Sequence, residues 1–315
     1  MTTQQAPLPS GFGPKSTAAE VLGTRRLDGL LAIITGGYAG VGLETTRVLT
    51  GAGATVIVPA RTPDKARAAL AGLGRVELEA LDLADPKSIA EFAARFMASK
   101  RALPLLINNA GIMATPLERD ARGFESQLAT NHIGHFQLTL QLWPALVQAR
   151  GARVIELTSA GHRRAGFDFE DPQFERREYD KWVAYGQSKT ANALFARALD
   201  RRGEAHGVRA FSVHPGAIAT DLMRHMPEEE KTAALTRFKD LMKNVEQGAA
   251  TSVWCATSPQ LAGMGGVYCE NADIAQETAA DSEAINGVRP WATDPQAAEK
   301  LWALSEGWTG LKLPA

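Results

Sequence analysis

The sequence predicts an α/β fold, a parallel sheet of about seven strands covered by helices on both faces. Two observations carry this expectation. Short runs rich in β-branched and aliphatic residues alternate with segments whose apolar residues recur at helical spacing. The strand runs are apolar at nearly every position, as strands buried on both faces must be. Composition agrees: of 315 residues, 45% are hydrophobic and 22% charged, which excludes a disordered, collagenous or coiled-coil chain. Lys and Arg number 34 against 35 Asp and Glu, so nothing electrostatic points to nucleic acid or an anionic membrane as partner.

Each element follows in order. Strands are expected over residues 30–34, 55–58, 76–81, 105–107, 154–157, 208–213 and 267–269. After the first strand comes a glycine-rich turn, then Val41, Val48, Leu49 and Ala52 on one helical face. Thr62 reads as an N-cap with Pro63 at the first helical position, and Ala66, Ala69, Leu70 and Leu73 form the next stripe. Asp85-Pro86 opens a helix with the stripe Ile89, Phe92, Ala93, Phe96 and Met97, and Asp294-Pro295 opens a last one with Leu301 and Trp302.

No composition break serves as a linker. The expected organisation is an N-terminal extension (1–28) and one dinucleotide-binding domain (29–315), with pocket-forming inserts at 163–183 and 221–246. Two cysteines, Cys255 and Cys269, are too few for a disulfide framework. The start of the chain lacks the apolar core of a signal peptide, and its longest aliphatic run is far short of a membrane span. A reduced, cytoplasmic protein without a membrane span is expected. The six histidines show no metal-ligand spacing, so no metal is expected.

Three constellations carry chemistry. Thr35-Gly36-Gly37-Tyr38-Ala39-Gly40-Val41-Gly42 joins a predicted strand to a predicted helix, the context of a Rossmann-type, doubly wound nucleotide site. Gly36 would make the tight turn, Gly40 would let the backbone approach a pyrophosphate, and Gly42 would allow close helix–strand packing. The second strand ends in Pro59-Ala60-Arg61, a guanidinium where NAD-binding chains carry a carboxylate. That favours NADP(H), with NAD(H) as the alternative. Thirdly, Tyr185 and Lys189 share one helical face, turned away from the stripe Ala191, Leu194, Phe195, Ala198 and Leu199. For the phenol to act near neutral pH it must fall by two to three units, or about 3–4 kcal/mol. One ammonium at ~4 Å, at an effective dielectric of ~20, supplies about that much. A solvent-exposed i,i+4 pair is the alternative.

Together with Asn108-Asn109-Ala110-Gly111, Asn131, Ser159 and His214-Pro215-Gly216 with Thr220, this ordered set resembles the short-chain dehydrogenase/reductase family over residues 30–270. Asn131 to Phe136, the insert before Tyr185 and Ser212 to Gly216 look most like its retinol dehydrogenase and protochlorophyllide reductase-like members. The resemblance implies an oxidoreductase that interconverts a carbonyl and an alcohol by hydride transfer. Ser159 would bind the substrate oxygen, and Tyr185 would pass the proton. Lys189 would lower the Tyr185 pKa and hold the nicotinamide ribose, while Asn131 would fix a water beside Lys189. Gly36, Tyr38, Gly40, Val41, Gly42, Arg61, Asp82, Leu83, Asn109, Ala110, Gly111, Tyr185, Lys189, Pro215, Gly216 and Thr220 would line the cofactor. Asp82 reads equally as a turn cap, and Asn108 and Asn109 as holding a strand end. Phe167, Phe169, Met223, Met226, Phe238 and Met242 would make the outer pocket apolar, for a lipophilic or aromatic small molecule. Residues 160–184 make a longer gap than the family's usual one, so a homodimer and a homotetramer both stay open. A catalytically silent, dinucleotide-sensing protein is the alternative function.

Overall fold

The computed structural model describes residues 3–314. Its strands are β1 (Leu31–Ile34), β2 (Thr55–Ala60), β3 (Val76–Ala80), β4 (Leu105–Asn108), β5 (Arg153–Leu157), β6 (Arg209–His214), β7 (Val267–Glu270) and β8 (Asp273–Ile274). They form one sheet in the order β3-β2-β1-β4-β5-β6-β7-β8. The first seven run parallel, and β8 pairs antiparallel with β7 through a tight turn at Asn271 and Ala272. The sheet therefore has eight strands where about seven are expected. Two residues are too short a run to carry a period, which is why β8 is invisible in the sequence.

The order reverses between β1 and β4, so a crevice opens beyond the carboxyl ends of these two strands. Apolar strand residues split between two cores, as alternation demands: Val154 packs on one side of the sheet, Ile155 on the other. Buried Leu194 and Leu199 of the helix Lys181–Gly203 join the first core, each contributing about 1.5–3 kcal/mol.

Caps set the helix starts. Asp85 accepts from the Lys87 amide and Asp294 from the Gln296 amide, both at 2.9 Å, each ahead of a proline at the first helical position. Thr62 stands at the N-cap of Pro63–Ala69, but its hydroxyl makes no capping bond, because proline pre-sets the turn without one. Asp180 caps Lys181–Gly203 through the amides of Trp182 and Val183. This long helix is buried on nearly every side, beneath the strands, the turn Ala160–Arg164 and the helix Pro295–Thr309.

Residues ahead of β1 are tied to the far edge of the sheet. The Gln5 amide donates to the carbonyls of Tyr268 (2.9 Å) and Ala275 (2.7 Å) and accepts from the Tyr268 amide (2.9 Å). It thereby satisfies the Tyr268 amide and the Ala275 carbonyl, while the Tyr268 carbonyl also accepts from the Ala275 amide at 2.9 Å. The helix Ala18–Leu22 buries Ala18, Val21 and Leu22 in the second core.

Candidate active site

The glycine turn sits at the strand-order reversal. Gly40 has φ 51°, and a Cβ there would stand 3.1 Å from the Thr220 methyl. A Cβ on Gly42 would lie 2.4 Å from both Asn109 Nδ2 and the Gly36 carbonyl, so the helix can start against the β4 end only with glycine. The helix Gly40–Gly51 begins with no side chain bonded to its first amides, which leaves N–H donors pointing into the turn. Asn109 Nδ2 donates to the Thr35 carbonyl (2.8 Å), while Thr35 Oγ1 accepts from the amides of Asn109 (2.9 Å) and Ala110 (3.0 Å).

A second cluster forms where β5 ends. Ser159 caps the turn Ala160–Arg164, its Oγ accepting from the Gly161 amide at 3.0 Å. Gly161 lies flat on the Tyr185 ring, where a Cβ would approach Cε1 to 2.8 Å. Lys189 Nζ donates to the Leu157 carbonyl at 2.9 Å and stands 5.8 Å from the Tyr185 ring centre. Asn131 lies in the π-turn Ala129–Ile133, bonded to both backbone groups of Ile112 and to Ser188 Oγ. Gly111 separates it from the lysine: a Cβ there would be 3.1 Å from Asn131 Oδ1 and 3.5 Å from Lys189 Nζ.

One expectation about this cluster changes. Tyr185 and Lys189 are buried, the tyrosine beneath the Ala160–Arg164 turn, so they are not the solvent-exposed pair that was the alternative. The phenol is not lowered. Burial pushes Tyr185 up to about 12, with the Ser159 hydrogen bond pulling the other way. Lys189 donates to the Leu157 carbonyl, and burial pulls its own pKa down to about 8, against the attraction of Glu156.

Sequence reasoning missed the residue that joins the two clusters. His135 is fully buried, one helical turn after Asn131. Its Nδ1 contacts the Asn131 carbonyl and its Nε2 the Thr35 hydroxyl, both at 2.9 Å. A carbonyl only accepts, so Nδ1 carries the proton and Nε2 accepts from Thr35. Burial holds the ring neutral, near 4. The i,i+4 spacing of Asn131 and His135 is the one signal that could have found it.

The other candidates are distributed around these clusters. Arg61 is exposed just beyond β2, and its guanidinium makes no hydrogen bond or ion pair among the described residues. Asp82 accepts from the Ala84 amide at 2.9 Å and so caps its own turn. Leu83 is buried against Gly134, while Val41 touches Gly248 and Tyr38 packs on the second core. His214 Nδ1 accepts from the amides of Ala160 and Gly216, which ties Pro215 and Gly216 to the serine turn. Thr220 caps the next turn beside Gly40. The apolar set divides. Phe167 and Phe169 pack on each other, and Phe167 on Trp308, as core rather than pocket. Met226 is buried, whereas Phe238 is 39% exposed. No helix among the described residues is long and apolar enough to cross a membrane.

Fold and site define an α/β protein with a glycine turn at the strand-order reversal and a Ser–Tyr–Lys cluster, and comparison with known proteins narrows the class. The family model for short chain dehydrogenases matches residues 30–231. A Streptomyces antibioticus protein named "probable oxidoreductase" is 44% identical over 290 residues, 88% of this chain and 96% of its own length. Human retinol dehydrogenase 12 is 36% identical over 91% of this chain and 88% of its own. A Mycobacterium paratuberculosis protein of known structure superimposes with TM-score 0.74 at 33% identity, covering 96% of this chain and all of its own. The chain belongs to the short-chain dehydrogenase/reductase family of oxidoreductases.

Proposed function

We propose that this chain interconverts a small apolar carbonyl compound and its alcohol with NADP(H), using Tyr185 as general acid and base. The observation that carries the reading is the cluster of buried Tyr185, Lys189 and Asn131 with half-buried Ser159, beside a glycine turn with uncapped helix amides. The residues fit a nicotinamide dinucleotide, since side chains are missing where a pyrophosphate must approach and N–H donors face that space. Bound there, such a cofactor supplies or takes up the hydride. Gly36, Tyr38, Gly40, Val41, Gly42 and Thr220 would hold its pyrophosphate side. Asp82, Leu83, Asn109, Ala110 and Gly111 would line the adenosine, and Pro215 and Gly216 the nicotinamide. Arg61, which makes no hydrogen bond or ion pair among the described residues and has no carboxylate beside it in β2, supports NADP(H) over NAD(H).

Ser159 Oγ donates to the substrate oxygen and steadies charge as it develops there. Tyr185 then gives its proton to that oxygen. A phenol pushed up to about 12 is protonated throughout the neutral range, which favours carbonyl reduction. Alcohol oxidation needs the phenolate, so its rate should climb as pH rises toward the phenol's value. Lys189 would hold the cofactor ribose, with Asn131 keeping the lysine's surroundings polar. The name of the relative retinol dehydrogenase 12 supports an apolar substrate, as do the exposed apolar side chains of the 221–246 insert.

A panel of aldehydes, ketones and alcohols, followed separately by NADPH and NADH absorbance, tests the reading. Tyr185→Phe should lose turnover by about 10²- to 10⁴-fold while still binding cofactor. No consumption across the panel would favour a dinucleotide sensor instead. Arg61→Asp should weaken NADPH and strengthen NADH, and affinities moving together would overturn the assignment of that position.

A further inference from the structure

β5 carries a carboxyl inside the sheet. Glu156 is fully buried, opposite Asn108 of β4 and Ser212 of β6 in the ladder. It shares the face of Val154, toward the long helix, while Leu157 points the other way. The backbone beside it is bound to the turn that bears the active-site lysine. The Leu157 carbonyl accepts from Lys189 Nζ and Asn192 Nδ2, both at 2.9 Å, and Thr158 Oγ1 donates to the Lys189 carbonyl at 2.7 Å. Glu156 Oε1 accepts from Asn108 Nδ2, which also donates to Thr139 Oγ1. Three buried acceptors in this layer, Glu156 Oε2, Asn108 Oδ1 and Asn192 Oδ1, have no donor. Lys189, with three N–H bonds to give, uses one. Buried acceptors without donors are rare enough to require a reason.

We propose that Glu156 is a positioning residue for the acid–base cluster: its carboxyl and the Lys189 ammonium titrate as one coupled pair, and the pair sets the pH range in which Lys189 is charged. Its role in the reaction rests on the function proposed above, whereas the coupling itself does not. Burial lowers Lys189 and the Glu156 charge opposes that; burial raises Glu156, with the Asn108 hydrogen bond and Lys189 opposing. The other titratable groups packed around the pair are His135 on the helix Gly134–Gln141, which stays neutral, and Tyr185 on the long helix itself. Asn108 and Thr139 are uncharged, as is Ser212. Where the Glu156 carboxyl is ionised, removing its charge leaves burial unopposed, and Lys189 then loses its proton at a lower pH.

Glu156→Gln keeps the shape and the carbonyl that accepts from Asn108, and so isolates the charge. The full chain is labelled with ¹³C at lysine Cε, and the Lys189 signal, assigned by its loss in Lys189→Met, is titrated without cofactor. In Glu156→Gln the midpoint should move to lower pH by about one unit, and the alkaline limb of the kcat/KM profile should follow it. An unmoved midpoint overturns the coupling. A midpoint that moves without the limb overturns the role in the reaction. If Glu156→Gln fails to fold, Asn108→Ser, which removes the donor favouring the ionised carboxyl, should move the midpoint the same way by less, and no shift there also overturns the coupling. Should the carbonyl panel show no turnover, the proposed function fails on its own, and the midpoint still decides the pair.

Discussion

The two inserts reverse what hydropathy suggests of them. Residues 163–183 are polar and charged, yet they build a rigid unit. The Asp171 carboxylate accepts from the amides of Glu175 (2.8 Å), Arg176 (3.0 Å) and Arg177 (3.0 Å), and Arg177 lies 3.7 Å over the Phe174 ring. Gln187 of the long helix donates to the Pro172 carbonyl and accepts from Arg177, and Gln173 accepts from the Glu125 amide. Residues 221–246 carry apolar side chains at helical spacing, yet Leu235, Phe238 and Leu241 are 40%, 39% and 38% exposed. A short acidic side chain can gather several backbone amides and fix a loop without a core. An apolar stripe fixes nothing unless a partner surface covers it. Of the two inserts it is the second that carries open apolar surface, and the phenylalanines of the first are structural.

Substitutions at three positions can break this contrast, the largest effect first. Asp171→Ala removes the hub of the first insert and should lower Tm by several degrees; an unchanged Tm would mean the loop holds without it. Burial alone would raise the Asp171 carboxyl, but the three amides and Arg177 together bring it below its ordinary value. Its contribution is therefore complete above the unfolded carboxyl's pKa and fades as pH falls through the lower folded value. Wild type and Asp171→Asn should converge in Tm in strong acid. Phe238→Ser should leave stability within about 0.5 kcal/mol and raise KM for an apolar carbonyl roughly tenfold, read by steady-state kinetics. A fall in Tm would show that the second insert is packed after all. The smallest effect belongs to the ion pair joining the second insert to the long helix, Lys181 to Glu230 at 2.7 Å. Both partners are partly exposed, so Glu230→Gln should cost less than about 1 kcal/mol in denaturant unfolding.

Most of the sheet was legible because the inner parallel strands are apolar on both faces; every expected strand appears, the half-buried edge strand β3 with Glu77 and Glu79 included. Asp85 and Asp294 were legible as caps because proline follows each of them. The glycine turn was legible because its constraints are local, each glycine answering to a neighbour within a few ångströms. Burial of Tyr185 and Lys189 was not, since the covering residues come from another stretch of chain and helical periodicity reports a single stripe. Glu156 passed unnoticed for a related reason: one carboxyl within an aliphatic run reads as a tolerated exception. Its partners Asn108 and Thr139 come from other elements. The phenol's displacement was misjudged because a Coulomb estimate with one ammonium leaves out the burial that pushes the phenol up.

The helix Pro295–Thr309 has a consequence for self-association. Trp302 packs on Phe136 and Phe195, Arg202 forks onto Glu299, and Ser305 meets His132. A second copy approaching along Lys181–Gly203 finds that flank already taken by the chain's own terminal segment. Any symmetric pairing there must first peel away a tryptophan-anchored helix, so an assembly of this protein would have to be built through some other side of the molecule.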